Sequence, residues 1–169
     1  TDAAGDLVDA VARTAGRELS PRETGEALSA VAVRVVRAAL EVVEPPDDLP
    51  FAVIGMGKLG ARELNVASDL DLMFVYEGEG AVTQRRAGEI AERVMQAVRD
   101  AGWEPDADLR PEGRNGPLAR SIVGYLEYWQ RYAETWEFQA LLRARAIAGD
   151  AGLGRRFERN AADVAFPPE

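Results

Sequence analysis

Apolar positions along this chain switch between helical and extended periods, and the switches outline its elements. Residues 6–18 carry a short helical pattern. A stronger helix opens at Ser20-Pro21-Arg22-Glu23, where a serine cap, proline at the first helical position and glutamate three residues after the cap give capping-box spacing. From there Ala27, Leu28, Val31, Val35, Ala38, Ala39 and Val42 recur at helical intervals. Pro45-Pro46-Asp47-Asp48-Leu49-Pro50 cannot continue a helix, so this one should end near Glu44. Residues 51–54 predict a brief strand entering a glycine turn and pairing with a second strand over 70–76, which Glu77-Gly78-Glu79-Gly80 ends. Residues 82–101 form an amphipathic pattern with Ile90, Val94, Ala97 and Val98 facing the sheet. A third strand is expected within 103–111, where Pro105 confines it to an edge or its own start. Residues 121–133, 135–148 and 151–163 read as helices. No internal repeat or low-complexity segment interrupts the order.

The second strand carries unusual side chains. Asp69 and Asp71 stand two apart in a run that continues Leu72-Met73-Phe74-Val75. Side chains two apart on a strand leave the same face, with Cα atoms roughly 6–7 Å apart. Carboxylates so placed can converge on hard divalent cations, which take oxygen ligands. Unpaired acids on a core strand are strongly disfavoured, so a cation is the natural counterpart. The plain alternative is a solvated sheet edge. Ahead of the acids, Gly55, Gly57 and Gly60 with Ser68 offer backbone and hydroxyl groups suited to phosphates. Lys58 either neutralises phosphate there or is an exposed turn lysine. Downstream, Asp106 and Asp108 share a face, and either can complete a carboxylate triad or sit solvated on a polar edge. The loop that follows holds Arg110 and Arg114, whose guanidinium forks match phosphate oxygens. It equally reads as a surface connection.

Composition narrows the chemistry. The net charge of −9 argues against a nucleic-acid partner, whose footprint is a basic face. With no cysteine and no histidine, thiolate chemistry, disulfides, histidine triads and the usual zinc sites fall away. Carboxylates, arginines, Lys58 and hydroxyls remain, which favours metal-assisted phosphoryl chemistry over acyl transfer. No stretch approaches the ~18–20 apolar residues of a membrane span. The first residues lack the basic start and apolar core of a secretory signal, so cytoplasm is the default expectation.

Three blocks in order, GMGKLGARELNVASDLDLMFVY, DADLRPEGRNGPL and TWEFQALLRARAIAGD, resemble the bifunctional glutamine synthetase adenylyltransferase/adenylyl-removing enzymes. They cover about residues 51–150. The resemblance implies an α/β (α+β) fold with a polymerase-β-like palm, a small mixed sheet and flanking helices. Residues 1–45 would then be an N-terminal helical segment, 46–120 the nucleotidyltransferase core and 121–169 a C-terminal helical extension. It also implies that the chain is one half of a longer two-half enzyme. The Asn65-Val66-Ala67-Ser68-Asp69 run and Gly116-Pro117-Leu118 are similar to the half that removes AMP from glutamine synthetase by phosphorolysis. The other half, which adds AMP from ATP, usually has a Gly-Tyr-Gly-Ser-Asp type of run.

On this resemblance Asp69, Asp71 and Asp106 are the catalytic and metal-holding residues. Gly55, Gly57, Lys58, Gly60, Ser68 and Arg110 bind ADP or ATP, and the ions are Mg²⁺ or Mn²⁺. Partners would be glutamine synthetase, phosphate and, through the full-length enzyme, a PII-type signal protein. One departure is Asp108, where the family commonly has a basic residue. In the block 135–150, Trp136, Ala140, Arg143 and Ile147 are expected on one helical stripe, with Glu137 and Arg145 in a structural network. The Tyr125, Tyr128, Trp129, Tyr132 band is expected in core or interface. Two other readings stay open. One is a nucleotidyltransferase acting on a small-molecule hydroxyl, against which the third block counts. The other is a non-catalytic nucleotide-sensing or docking module.

Overall fold

The computed structural model describes Arg13 and residues 19–166. The helix expected over 6–18 lies almost wholly outside the described residues. Helix α1 (Pro21–Val43) starts as its sequence dictates: the Glu23 N–H donates to Ser20 Oγ at 3.3 Å, and the Ser20 N–H donates to Glu23 Oε2 at 2.8 Å. It ends at Glu44, whose left-handed backbone (φ 50°) lets its N–H reach the Leu40 carbonyl. The buried stripe runs through Leu28, Ala32, Val36, Leu40 and Val43. Val42, expected on that stripe, is 74% exposed, because the true stripe is centred one residue further round the helix.

Strand β1 (Phe51–Gly55) leads into a five-residue helix α2 (Gly57–Ala61), and β2 (Leu70–Tyr76) returns antiparallel to β1. Helix α3 (Gly80–Asp100) buries Ile90, Val94 and Val98 as expected. Two short strands, β3 (Pro105–Asp106) and β4 (Ala119–Ser121), both run parallel to β2 along its other edge, β3 beside its start and β4 beside its end. Helices α4 (Ile122–Arg131) and α5 (Thr135–Leu141) follow, then β5 (Arg145–Gly149) and α6 (Ala151–Ala165). The five-stranded mixed sheet has the path β3-β2-β1-β5, with β4 also on β2.

Both faces of the sheet are covered. Phe51, Val53, Leu70, Leu72, Phe74 and Tyr76 join α1 and α3 in one apolar cluster. Ala52, Ile54, Met73 and Val75 join Tyr125, Trp129, Leu153 and Phe157 of α4 and α6 in another. Two covered faces explain why β2 reads as a nearly unbroken apolar run. Tyr125 is fully buried and donates its hydroxyl to the Phe74 carbonyl at 3.1 Å, tying α4 to β2. Of the aromatic band, Tyr125 and Trp129 are core, whereas Tyr132 is exposed.

Two expectations are corrected here. The helix expected over 135–148 stops at Leu141, and residues 145–149 are a strand pairing antiparallel with β1. Ile147 therefore leaves a sheet, not a helical stripe with Trp136, and Arg143 falls in the connection between α5 and β5. The free hydrogen-bonding edge of β1 outweighs the helix propensity of this alanine-rich run. The third strand is only two residues long. It is an edge strand beginning at Pro105, as proline requires. Among the described residues no helix is long and apolar enough to cross a membrane.

Candidate active site

Asp71 is the one residue of β2 that is not buried, in a strand whose other six side chains are. By strand alternation it leaves the face that Met73 and Val75 share, at the strand's first turn of the pleat. Across the parallel ladder its register partner is Asp106, so the two carboxylates stand side by side on adjacent strands. Asp69 lies just before β2 and is exposed. The Met56 N–H donates to the Asp71 carbonyl at 2.8 Å, which fastens the start of α2 to the same point.

The electrostatics bind these groups into one site. Burial first, then the charges of Asp106 and Asp69, hold the Asp71 carboxyl above the ordinary aspartate range, while nearby Lys58 pulls it down. The Asp71 carboxylate accepts no hydrogen bond from the described residues. Gly57 closes over it: with φ +50°, a Cβ there would collide with Asp71 Oδ2. A half-buried carboxylate with acidic neighbours and no donor fits a cation. Among the described residues, however, no three acids are gathered tightly enough to cage an ion by protein ligands alone. The donor set suits a hard ion that keeps water and substrate oxygens in its shell.

Asp108 does not share the strand face expected for it. It stands in the turn after β3, where Arg114 Nε donates to its Oδ2 at 2.6 Å and Arg110 Nη1 approaches Oδ1 at 3.7 Å. Its own N–H donates to Asp106 Oδ1 at 2.7 Å, which orients the Asp106 carboxylate. The extra negative charge is thus matched by the loop's arginines. Arg110 is mostly engaged in the loop, with Nη1 donating to the Ala107 carbonyl and Nε to that of Gly116. A cleft of roughly 830 Å³ along the β3 edge is lined by Asp69, Asp106, Asp108, Arg110 and Arg114, with Arg93 and Arg99 of α3. Asp71 is not among its walls.

The remaining expected residues divide by role. Gly55 packs against the Leu59 and Ile147 side chains, and Gly60 against the Arg143 and Gly55 carbonyls, so both allow close packing. Lys58 is exposed within electrostatic reach of Asp71. The Ser68 hydroxyl donates to Asn65 Oδ1 and accepts the Asn65 N–H, closing the loop before Asp69. Arg143 is ion-paired with Glu63, and buried Glu137 accepts from the Glu134 N–H and the Tyr128 hydroxyl. Sequence reasoning missed Arg120 on β4, which is ion-paired with Glu112 and lies over the Tyr128 ring.

Comparison with known proteins places this geometry in a family. The family model for glutamate-ammonia ligase adenylyltransferase matches residues 8–160. Over 166 residues the chain is 46% identical to the bifunctional glutamine synthetase adenylyltransferase/adenylyl-removing enzyme of Mycobacterium leprae, covering 89% of this chain and 16% of that protein. The protein of the same name from Mycobacterium tuberculosis (strain H37Rv) is 46% identical, with 89% and 17% covered. That from Streptomyces coelicolor is 42% identical over 168 residues, again with 89% and 17% covered. The chain therefore spans about a sixth of the length of these curated relatives.

Proposed function

The chain belongs to the glutamate-ammonia ligase adenylyltransferase family, and from that premise we propose that it is an adenylyl-removing nucleotidyltransferase unit. It moves AMP from a tyrosine of glutamine synthetase to inorganic phosphate. A phosphate oxygen forms the new bond to phosphorus, the tyrosine oxygen leaves with its electron pair and takes a proton, and the products are ADP and free tyrosine. The observation that carries this reading is the side-by-side register of Asp71 and Asp106, with Asp69 one step before β2. Asp71, Asp106 and Asp69 would hold Mg²⁺ or Mn²⁺, which when bound lowers the charge on the phosphoryl oxygens. Lys58 adds a positive charge beside the acids, and Asp108 with Arg114 fixes the loop that presents Asp106. The protein supplies positioning and charge rather than a covalent intermediate. The direction rests on the Asn65–Asp69 run and on Gly116-Pro117-Leu118, which are similar to the removing half. In the full-length enzyme a PII-type signal protein is the further partner, and the setting is cytoplasmic.

Incubation with adenylylated glutamine synthetase, phosphate and Mg²⁺ tests this directly. ADP should appear, and Asp71→Asn should lower its rate by about a hundredfold or more while the fold survives. Wild-type rates in that variant reject the role of Asp71. Incorporation of AMP from ATP, with no ADP formed from the adenylylated protein, reverses the direction.

A further inference from the structure

On the other side of α2 from Asp71, four arginines face a single pocket of roughly 400 Å³: Arg34 and Arg37 of α1, Arg62 at the end of α2 and Arg145 of β5. Its walls also include Glu26 and Ser29, and Glu26 is engaged with Arg22 at 3.0 Å. In a chain of net charge −9 such a gathering runs against the overall field. Among the described residues Arg37, Arg62 and Arg145 form no ion pair. Arg37 Nε donates to the Ile147 carbonyl at 2.7 Å. Arg145 donates through Nε to Gly60 and through Nη2 to Leu59, at 3.0 and 2.9 Å. These bonds hold two guanidinium groups in place without neutralising either. Burial and the charges of Arg62 and Arg37 push Arg145 below the usual arginine range, opposed only by Glu158. Arg145, partly buried at the same pocket as Arg37 and Arg62, is the charge that calls for a counter-anion.

We propose that this pocket binds a phosphate-bearing anion, at a site separate from the aspartates. Guanidinium forks match tetrahedral oxyanions bidentately, and several forks around one pocket favour a group with at least two charges. The separation follows from the sheet: Arg145 pairs with Gly55 on β1, and β1 stands between β5 and β2. The site is independent of the direction of catalysis and needs no divalent ion.

Calorimetric titration of the chain with pyrophosphate, and separately with ATP, both in excess chelator, reads the site out. Saturable binding is expected in both titrations when the phosphate group itself is recognised, and tighter binding of ATP assigns the source to a nucleotide. Arg37→Gln and Arg62→Gln, both at exposed positions, should each weaken binding about tenfold. Asp71→Asn should not weaken it. No saturable heat, unchanged affinity in both arginine variants, or loss in Asp71→Asn overturns the proposal. Should a variant lose its fold, the wild type supplies the readout: the Nε resonances of Arg37 and Arg62 shift on titration, and unmoved resonances overturn it equally.

Discussion

Gly57 and Gly60 are three residues apart in α2 but answer to different neighbours. A methyl group at Gly60 would drive into the Arg143 and Gly55 carbonyls, which are backbone and cannot yield. Gly60→Ala should therefore destabilise the fold by about 2–3 kcal/mol, read as a lower denaturant midpoint. At Gly57 the added group meets the end of the Asp71 side chain, which can rotate away, although the positive φ adds strain. Gly57→Ala should then show its larger effect on turnover. The sequence places both glycines ahead of the acids, where a phosphate cradle is the natural expectation. The packing of Gly55 against Ile147 of β5, and of Gly60 against the Arg143 carbonyl just before β5, involves residues more than eighty positions downstream, and no local pattern announces it. The spacing of Asp69 and Asp71 put both on one strand, but Asp69 falls just before β2; the register that brings Asp106 beside Asp71 required the fold.

At the level of elements, strong local signals were sufficient where they existed. The Ser20–Glu23 box and the Pro45-Pro46 stop delimit α1 at both ends. Ser20→Ala removes the acceptor for the Glu23 N–H and should cost about 1 kcal/mol, seen as a drop in thermal midpoint. The segment 135–149 failed because no glycine or proline separates α5 from β5. Trp136, Ala140, Arg143 and Ile147 satisfy helical spacing, so nothing local forces a break at Leu142. The alternation of Arg145 and Ile147 with Ala146 and Ala148 was the competing signal. It prevails because β1 offers unpaired backbone groups on that side. The fully buried Tyr125 makes a comparable long-range tie: Tyr125→Phe leaves the packing and removes its bond to the Phe74 carbonyl, a loss of about 1 kcal/mol in unfolding free energy.

Across the whole molecule, negative charge exceeds positive by nine, and at Asp71 burial, with the charges of Asp106 and Asp69 added to it, turns ionisation against folding. Its folded carboxyl titrates above the ordinary range, so the ionised form opposes folding. The resulting penalty holds above the raised folded value, shrinks as pH falls through it, and is gone below the unfolded value. Asp71→Asn should accordingly melt a few degrees higher than the wild type at neutral pH, with the gap closing on acidification. Adding Mg²⁺ should narrow the gap from the other side, by stabilising the wild type alone. Melting curves across pH, with and without the ion, check both statements.

The strand order has a consequence for synthesis. Because β1 lies between β2 and β5, one flank of an early strand waits for residues 145–149 to emerge from the ribosome. During that interval the nascent chain exposes an unpaired ladder next to an apolar surface, a template for association with neighbouring copies. Pairing with β5 closes that flank of β1 and leaves β5 as the edge in its place.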